Sequence, residues 1–208
     1  MTNSPSLFDR VPVIPVVVVD DLGDAVPVAR ALVAGGIPMI ELTLRTPCAL
    51  DAIKAIANEV PEICVGAGTI VEPVQAAQAA EAGAQFLVSP GSTETLLKAM
   101  TDTGLPHLPG AATVSEVLFL LERGYRELKF FPAEASGGAK FLGSIHSPVP
   151  AARFCPTGGI STSNVGDYLS LPNVGCVGGS WLTPAGAVKQ KDWDRISGLA
   201  REAAALAR

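Results

Sequence analysis

Short apolar runs rich in valine, isoleucine and phenylalanine alternate along this chain with longer segments in which apolar residues return every three or four positions. The first pattern predicts strands and the second amphipathic helices. Strands are expected near Val13–Val19, Met39–Leu44, Cys64–Thr69, Gln85–Ser89, Pro106–Gly110, Glu127–Phe131, Arg153–Pro156 and Val174–Gly178. Each of these eight runs begins about 20 to 27 residues after the one before, enough for one strand and one crossover helix.

The helical segments carry their own start and stop signals. Val26, Ala29, Leu32 and Val33 form one apolar face, with Asp24 the candidate N-cap ahead of Pro27. Thr113 and Glu116 have the spacing of a capping box, and Asp192 precedes a final amphipathic helix through Trp193, Ile196, Leu199 and Ala203. Glycine closes several helices just before the next strand, at Gly35-Gly36, Gly83, Gly104 and Gly124. Glycine there accepts the left-handed turn that satisfies the last helical carbonyls. Repeated βα units with short returns predict a parallel sheet with right-handed crossovers. The expected fold is α/β: a single (β/α)8 TIM barrel over residues 1–208, with a short lead-in helix before the first strand. An open doubly wound sheet is the alternative, but Asp20-Asp21-Leu22-Gly23-Asp24 after the first strand is no dinucleotide fingerprint.

In such barrels chemistry gathers at the C-terminal strand ends. Lys129 lies in mid-strand between Leu128 and Phe130, a costly place for an ammonium ion. Burial favours the uncharged amine, a nucleophile toward carbonyls. The alternative is an edge lysine whose stem lies on apolar surface while its head reaches water. The second strand alternates strictly, so Ile40, Leu42 and Leu44 face the helices and Glu41, Thr43 and Arg45 face the interior. A Glu41–Arg45 structural ion pair is the alternative for that face; the favoured, functional reading is a carboxylate for proton transfer and a guanidinium fork for an anionic substrate. Gly66-Ala67-Gly68-Thr69 ends the third strand with small residues and a hydroxyl, while Ser89-Pro90-Gly91 and Leu108-Pro109-Gly110 also read as plain turns. After the last two strands come Thr157-Gly158-Gly159 and Gly178-Gly179-Ser180. Bare backbone amides in those positions suit a phosphate group.

Composition narrows the field. The 208 residues carry a net charge of −5 with no basic cluster, which argues against nucleic-acid binding. No apolar stretch approaches the roughly 18 residues that a membrane helix requires, and Met1 to Arg10 does not read as a signal peptide, so the expected location is the cytoplasm. Cys48, Cys64, Cys155 and Cys176 are scattered, and His107 and His146 are isolated, a pattern of free thiols rather than of a metal site.

Taken together, Glu41-Leu-Thr-Leu-Arg45-Thr46, Val65-Gly-Ala-Gly-Thr69, Leu87-Val-Ser-Pro90-Gly91, Lys129-Phe-Phe-Pro-Ala-Glu134, Arg153-Phe-Cys-Pro-Thr-Gly-Gly-Ile160 and Gly178-Gly-Ser-Trp181 resemble the 2-keto-3-deoxy-6-phosphogluconate (KDPG) aldolases. The resemblance runs from Pro12 to the final helix. It implies a class I aldolase without cofactor or metal, in which Lys129 forms the imine and Glu41 is the acid/base. It also implies that Arg45 and Thr69 bind the substrate carboxylate, that Pro90 and Phe131 line the pyruvyl site, and that Thr157, Gly158, Gly159, Gly178, Gly179 and Ser180 form the phosphate end. The implied partners are a 2-keto acid, a phosphorylated aldehyde and two further copies of the chain in a homotrimer. Ala111 departs from the expected pattern, where a bulkier aliphatic would shape the aldehyde side. Two other readings stay open: an aldolase acting mainly on unphosphorylated acids such as 4-hydroxy-2-oxoglutarate, and a non-catalytic sugar-phosphate-binding barrel.

Overall fold

The structure, a computed structural model, describes residues 6–206. Strands β1 (Val13–Val17), β2 (Met39–Thr43), β3 (Cys64–Gly68), β4 (Leu87–Val88), β5 (His107–Leu108) and β9 (Val177–Gly179) form a six-stranded parallel sheet in the order β5-β4-β3-β2-β1-β9. A second parallel sheet contains β6 (Gly110–Ala111), β7 (Glu127–Phe130) and β8 (Arg153–Pro156). The expected run Pro106–Gly110 is thus two strands. Pro109 lacks the N–H that a ladder needs, but its carbonyl accepts from the Lys129 N–H at 3.0 Å, so pairing changes partner at that residue. Between β8 and β9, isolated parallel bridges join Phe154 to Val174 and Thr157 to Gly178.

The helices α1 (Leu22–Ala34), α2 (Ala49–Glu59), α3 (Pro73–Glu81), α4 (Glu94–Asp102), α5 (Val114–Glu122) and α6 (Gly138–His146) follow successive strand passages. The short α7 (Val165–Leu169) and α8 (Ala185–Lys189) and the terminal α9 (Trp193–Ala204) complete the chain. The α5 capping box forms as expected, with Thr113 Oγ1 accepting from Glu116 N at 3.3 Å and Glu116 Oε2 accepting from Thr113 N at 2.9 Å. Asp192 caps α9 through the Arg195 N–H at 3.0 Å. The cap of α1 is Asp21 and not Asp24. Its carboxylate accepts from Gly23 N at 2.9 Å, which starts the helix at Leu22 and places Pro27 inside it. Gly36, Gly83, Gly104 and Gly124 all take positive φ, as the helix-ending pattern requires.

The expected lead-in helix is one 3-10 turn, Leu7–Asp9, that closes the end of the sheets away from the catalytic candidates. Phe8 is fully buried against Gly175, where a Cβ would fall 2.4 Å from its ring. Ser6 donates to Glu127 Oε1, and Arg153 reaches both Glu127 and Asp9 at 3.3 Å. Strand alternation then sorts the core into two layers. Leu128 and Phe130 face the helices, with Phe130 stacked on Phe141 at 5.2 Å and edge-on to Phe154, while Lys129 points the other way.

Candidate active site

In parallel strands, paired residues share a face. Glu41 pairs with Val16 and Gly66, while Lys129 pairs with Gly110 and Cys155, so each acidic or basic side chain is flanked by small or apolar neighbours. Both are buried, and Lys129 Nζ donates to Glu41 Oε1 at 3.1 Å. Their side chains are only 5% and 3% exposed, which removes the edge-lysine alternative. A buried charge persists only when paired and hydrogen-bonded, and the two groups meet that condition for each other. Gly68 makes room for the carboxylate, since a Cβ there would lie 2.1 Å from Glu41 Oε1.

The remaining polar residues of β2 separate. Thr43 donates to Val17 O at 3.1 Å and ties two strands together. Arg45 does not extend the interior face as the alternation suggested. The strand stops at Thr43, and Arg45 stands exposed in the turn beyond it, with no side-chain partner among the described residues. Glu41 turns to Lys129 and not to Arg45, so the structural ion pair between residues 41 and 45 does not form. Thr69 follows Gly68, whose strand partner is Thr43, and therefore sits beside the Arg45 turn. It holds φ at +60°, in the left-handed region that a β-branched residue rarely occupies. Its hydroxyl has no partner among the described residues.

Phe131 links the amine to the glycine loop. Its ring centroid lies 5.4 Å from Lys129 Nζ, and a Cβ on Gly158 would touch the same ring at 3.4 Å. Pro90 packs against Gly110, where a Cβ would come within 2.3 Å of its carbonyl carbon. Ala111 pairs with Phe130 and shares its outward face, so it lies away from Lys129 and does not shape that side of the site.

At the loop, Thr157 O accepts from Ala133 N at 2.8 Å and Gly158 O from Glu134 N at 3.1 Å. Gly158 and Gly159 hold φ at +102° and +80°. The N–H groups of Gly159 and Ile160 have no acceptor among the described residues, while that of Gly158 faces Gly178 across the Thr157–Gly178 bridge. Successive free amides in such a turn make an anion-binding nest. Across from it, Gly178 abuts Thr157, where a Cβ would fall 2.2 Å from the hydroxyl oxygen. Gly179 lies over Trp181, and Ser180 is exposed at the rim. Ser180 also lines a cavity of about 660 Å3 between the C-terminal ends of β1 and β9 and the start of α1. Two contributors carry no strong sequence signal. Glu134 packs beneath Gly159, and Tyr168 donates to its carboxylate. Burial and that acceptor push the Tyr168 phenol above its ordinary range, keeping it a donor. Among the described residues no group of His, Cys, Asp and Glu side chains is arranged to hold a metal ion, and none of the helices is long and apolar enough to cross a membrane.

Comparison with known proteins points the same way. Residues 6–199 match the family model described as KDPG and KHG aldolase. The KHG/KDPG aldolase of Escherichia coli K12 is 57% identical over 202 residues, covering 97% of this chain and 95% of that protein. The 2-dehydro-3-deoxy-phosphogluconate aldolase of Dickeya dadantii is 55% identical, covering 98% and 96%. The crystal structure of KDPG aldolase from Legionella pneumophila, with pyruvate captured as a covalent carbinolamine, superimposes with a TM-score of 0.93 at 46% identity, covering 95% of this chain and 96% of that one. The Zymomonas mobilis ZM4 enzyme with 3-phosphoglycerate gives 0.91 at 48%, covering 97% and 94%. With its buried Lys129–Glu41 pair facing a loop of free backbone amides, this chain belongs to the KDPG and KHG aldolase family.

Proposed function

We propose that the protein is a class I aldolase that cleaves 2-dehydro-3-deoxy-6-phosphogluconate to pyruvate and D-glyceraldehyde 3-phosphate. The observation that carries this reading is the buried 3.1 Å contact between Lys129 Nζ and Glu41 Oε1. The relatives named as aldolases of this substrate, and the covalent pyruvate adduct of the Legionella enzyme, support it.

Arg45 and Thr69 fix the carboxylate of the keto acid, and its C2 carbonyl comes to Lys129. Proton transfer along the Lys129–Glu41 hydrogen bond leaves a neutral amine and a carboxylic acid. The amine attacks C2, and Glu41 returns the proton so that the carbinolamine loses water and becomes an iminium ion. The C3–C4 bond then breaks, and its electron pair moves onto the iminium nitrogen to give an enamine. Glu41, now a carboxylate, takes the C4 hydroxyl proton directly or through water, and the aldehyde departs. Protonation of the enamine at C3 and hydrolysis release pyruvate and regenerate the amine. Pro90 and Phe131 wall the pyruvyl half. The loop Thr157, Gly158 and Gly159, through the amides of Gly159 and Ile160, receives the phosphate with Gly178, Gly179 and Ser180 opposite. The iminium supplies the electron sink, so the reaction needs no metal and a chelator leaves turnover unchanged. A reading centred on unphosphorylated acids gives those free amides no role.

We also infer that the two sheets close into one (β/α)8 barrel, the described residues 6–206 forming a single domain. The bridges between β8 and β9 and the change of partner at Pro109 support that closure. The assembly expected is a cytoplasmic homotrimer, to be checked by light scattering. For the chemistry, the protein is treated with borohydride in the presence of pyruvate and digested. A reduced pyruvyl adduct on the Lys129 peptide is expected. An adduct elsewhere, none at all, or turnover abolished by chelator would overturn the reading.

A further inference from the structure

The free amides of the glycine loop owe their direction to what holds the opposite edge. In a trans peptide the C=O and N–H point in opposite senses, so a carbonyl tied down behind the loop aims the N–H of the same peptide out of its front. Two of the three carbonyls, those of Thr157 and Gly158, are held by the Ala133 and Glu134 amides. The third is held by a side chain. Asn164 Nδ2 donates to Gly159 O at 3.1 Å, and Asn164 Oδ1 accepts from Ser161 N at 2.8 Å. One amide group therefore spans the Gly159–Ser161 turn with both its donor and its acceptor.

Asn164 is also the N-cap residue of α7, a position where asparagine ordinarily accepts from the helix's own first-turn N–H groups. It makes no such bond here. Its side chain faces back to the loop, so helix capping does not account for it. Glu134, pinned by Tyr168, fills the space beneath Gly159, where a Cβ would lie 2.6 Å from its Cγ.

We propose that Asn164 is a positioning residue that sets the preference for phosphorylated over unphosphorylated substrates by orienting the Gly159–Ile160 peptide, so that the Ile160 N–H is presented to the phosphate. This rests on the phosphate-binding reading given above. It places Asn164 outside the chemistry at Lys129, so its loss acts on KM for one class of substrate and leaves carbon–carbon cleavage intact.

The test compares 2-keto-3-deoxy-6-phosphogluconate with the same acid lacking phosphate. For Asn164→Ala, KM for the phosphorylated acid should rise on the order of tenfold, the loss of one hydrogen bond to a charged group. Its kcat should hold, and kcat/KM for the unphosphorylated acid should stay within about twofold of wild type. Asn164→Asp keeps the acceptor for Ser161 N–H but loses the donor to Gly159 O, and in high salt, where its charge is screened, it should share the defect. It also supplies the answer if the alanine variant does not fold. An equal loss on both substrates in either variant, or wild-type selectivity in Asn164→Asp, overturns the proposal while the borohydride adduct at Lys129 leaves the aldolase reading standing. A wild-type enzyme indifferent to the phosphate would overturn the phosphate reading and this inference together.

Discussion

At the scale of single residues, the site combines a buried ion pair with a strained neighbour, and the two respond differently to substitution. Lys129→Met leaves the Glu41 carboxylate buried without its partner, a change that ordinarily costs about 3–5 kcal/mol. Urea denaturation should show that loss together with complete inactivation, whereas Lys129→Met combined with Glu41→Gln should recover much of the stability and none of the activity. Thr69→Asn should do the reverse: asparagine tolerates the left-handed backbone that threonine holds at φ +60°, so the variant should gain about 1 kcal/mol. Its KM for the keto acid should rise. Lys129 and Glu41 were legible in the sequence because strand alternation itself sets each charged side chain on the face opposite its apolar neighbours, Leu128 and Phe130 in one strand and Ile40 and Leu42 in the other. The exposed place of Arg45 was not, because alternation says nothing about where a strand stops. Asn164 could not be read either: an asparagine ahead of a helix looks like an ordinary cap until its hydrogen bonds are seen.

At the scale of elements, local signals did well where they act within one turn. The α5 box formed as its spacing required, and Thr113→Ala should lower stability by about 1 kcal/mol without altering kcat, as thermal melts and steady-state assays can check. The glycine stops after α1, α3, α4 and α5 fell in place for the same reason: a left-handed residue is a local demand. Where pairing decides, the reading blurred. The expected run Gln85–Ser89 retained only Leu87 and Val88 as strand, and Val174–Gly178 moved toward its C-terminal end as Val177–Gly179. Asp24 yielded the α1 cap to Asp21 because both sequence positions offer a carboxylate and only the chain's entry angle chooses between them.

At the scale of the whole molecule, parallel βα order was visible from the repeat of strand and helix, but the partition into two ladders was not, since it turns on one proline and two isolated bridges. Long-range polar contacts were equally hidden. His107 in β5 bonds to Leu105 O at 3.0 Å and to the Tyr125 hydroxyl at 3.2 Å, with Tyr125 in turn 3.0 Å from Thr101 on α4. Burial holds the His107 imidazole below its ordinary pKa. The unfolded chain therefore takes up a proton that the folded one resists, so this group's contribution is present above about pH 6.5 and declines as the pH falls through that value toward the folded one. Unfolding midpoints measured from pH 7 to pH 5 should fall more steeply for wild type than for His107→Gln. The sheet division has a consequence for the enzyme at work. Amine and acid stand on opposite banks, Lys129 in the three-stranded ladder and Glu41 in the six-stranded one. In the proposed mechanism, proton exchange between them thus doubles as a gauge of how firmly the banks are moored. Gentle warming or dilute urea should silence turnover while circular dichroism still reports intact helices.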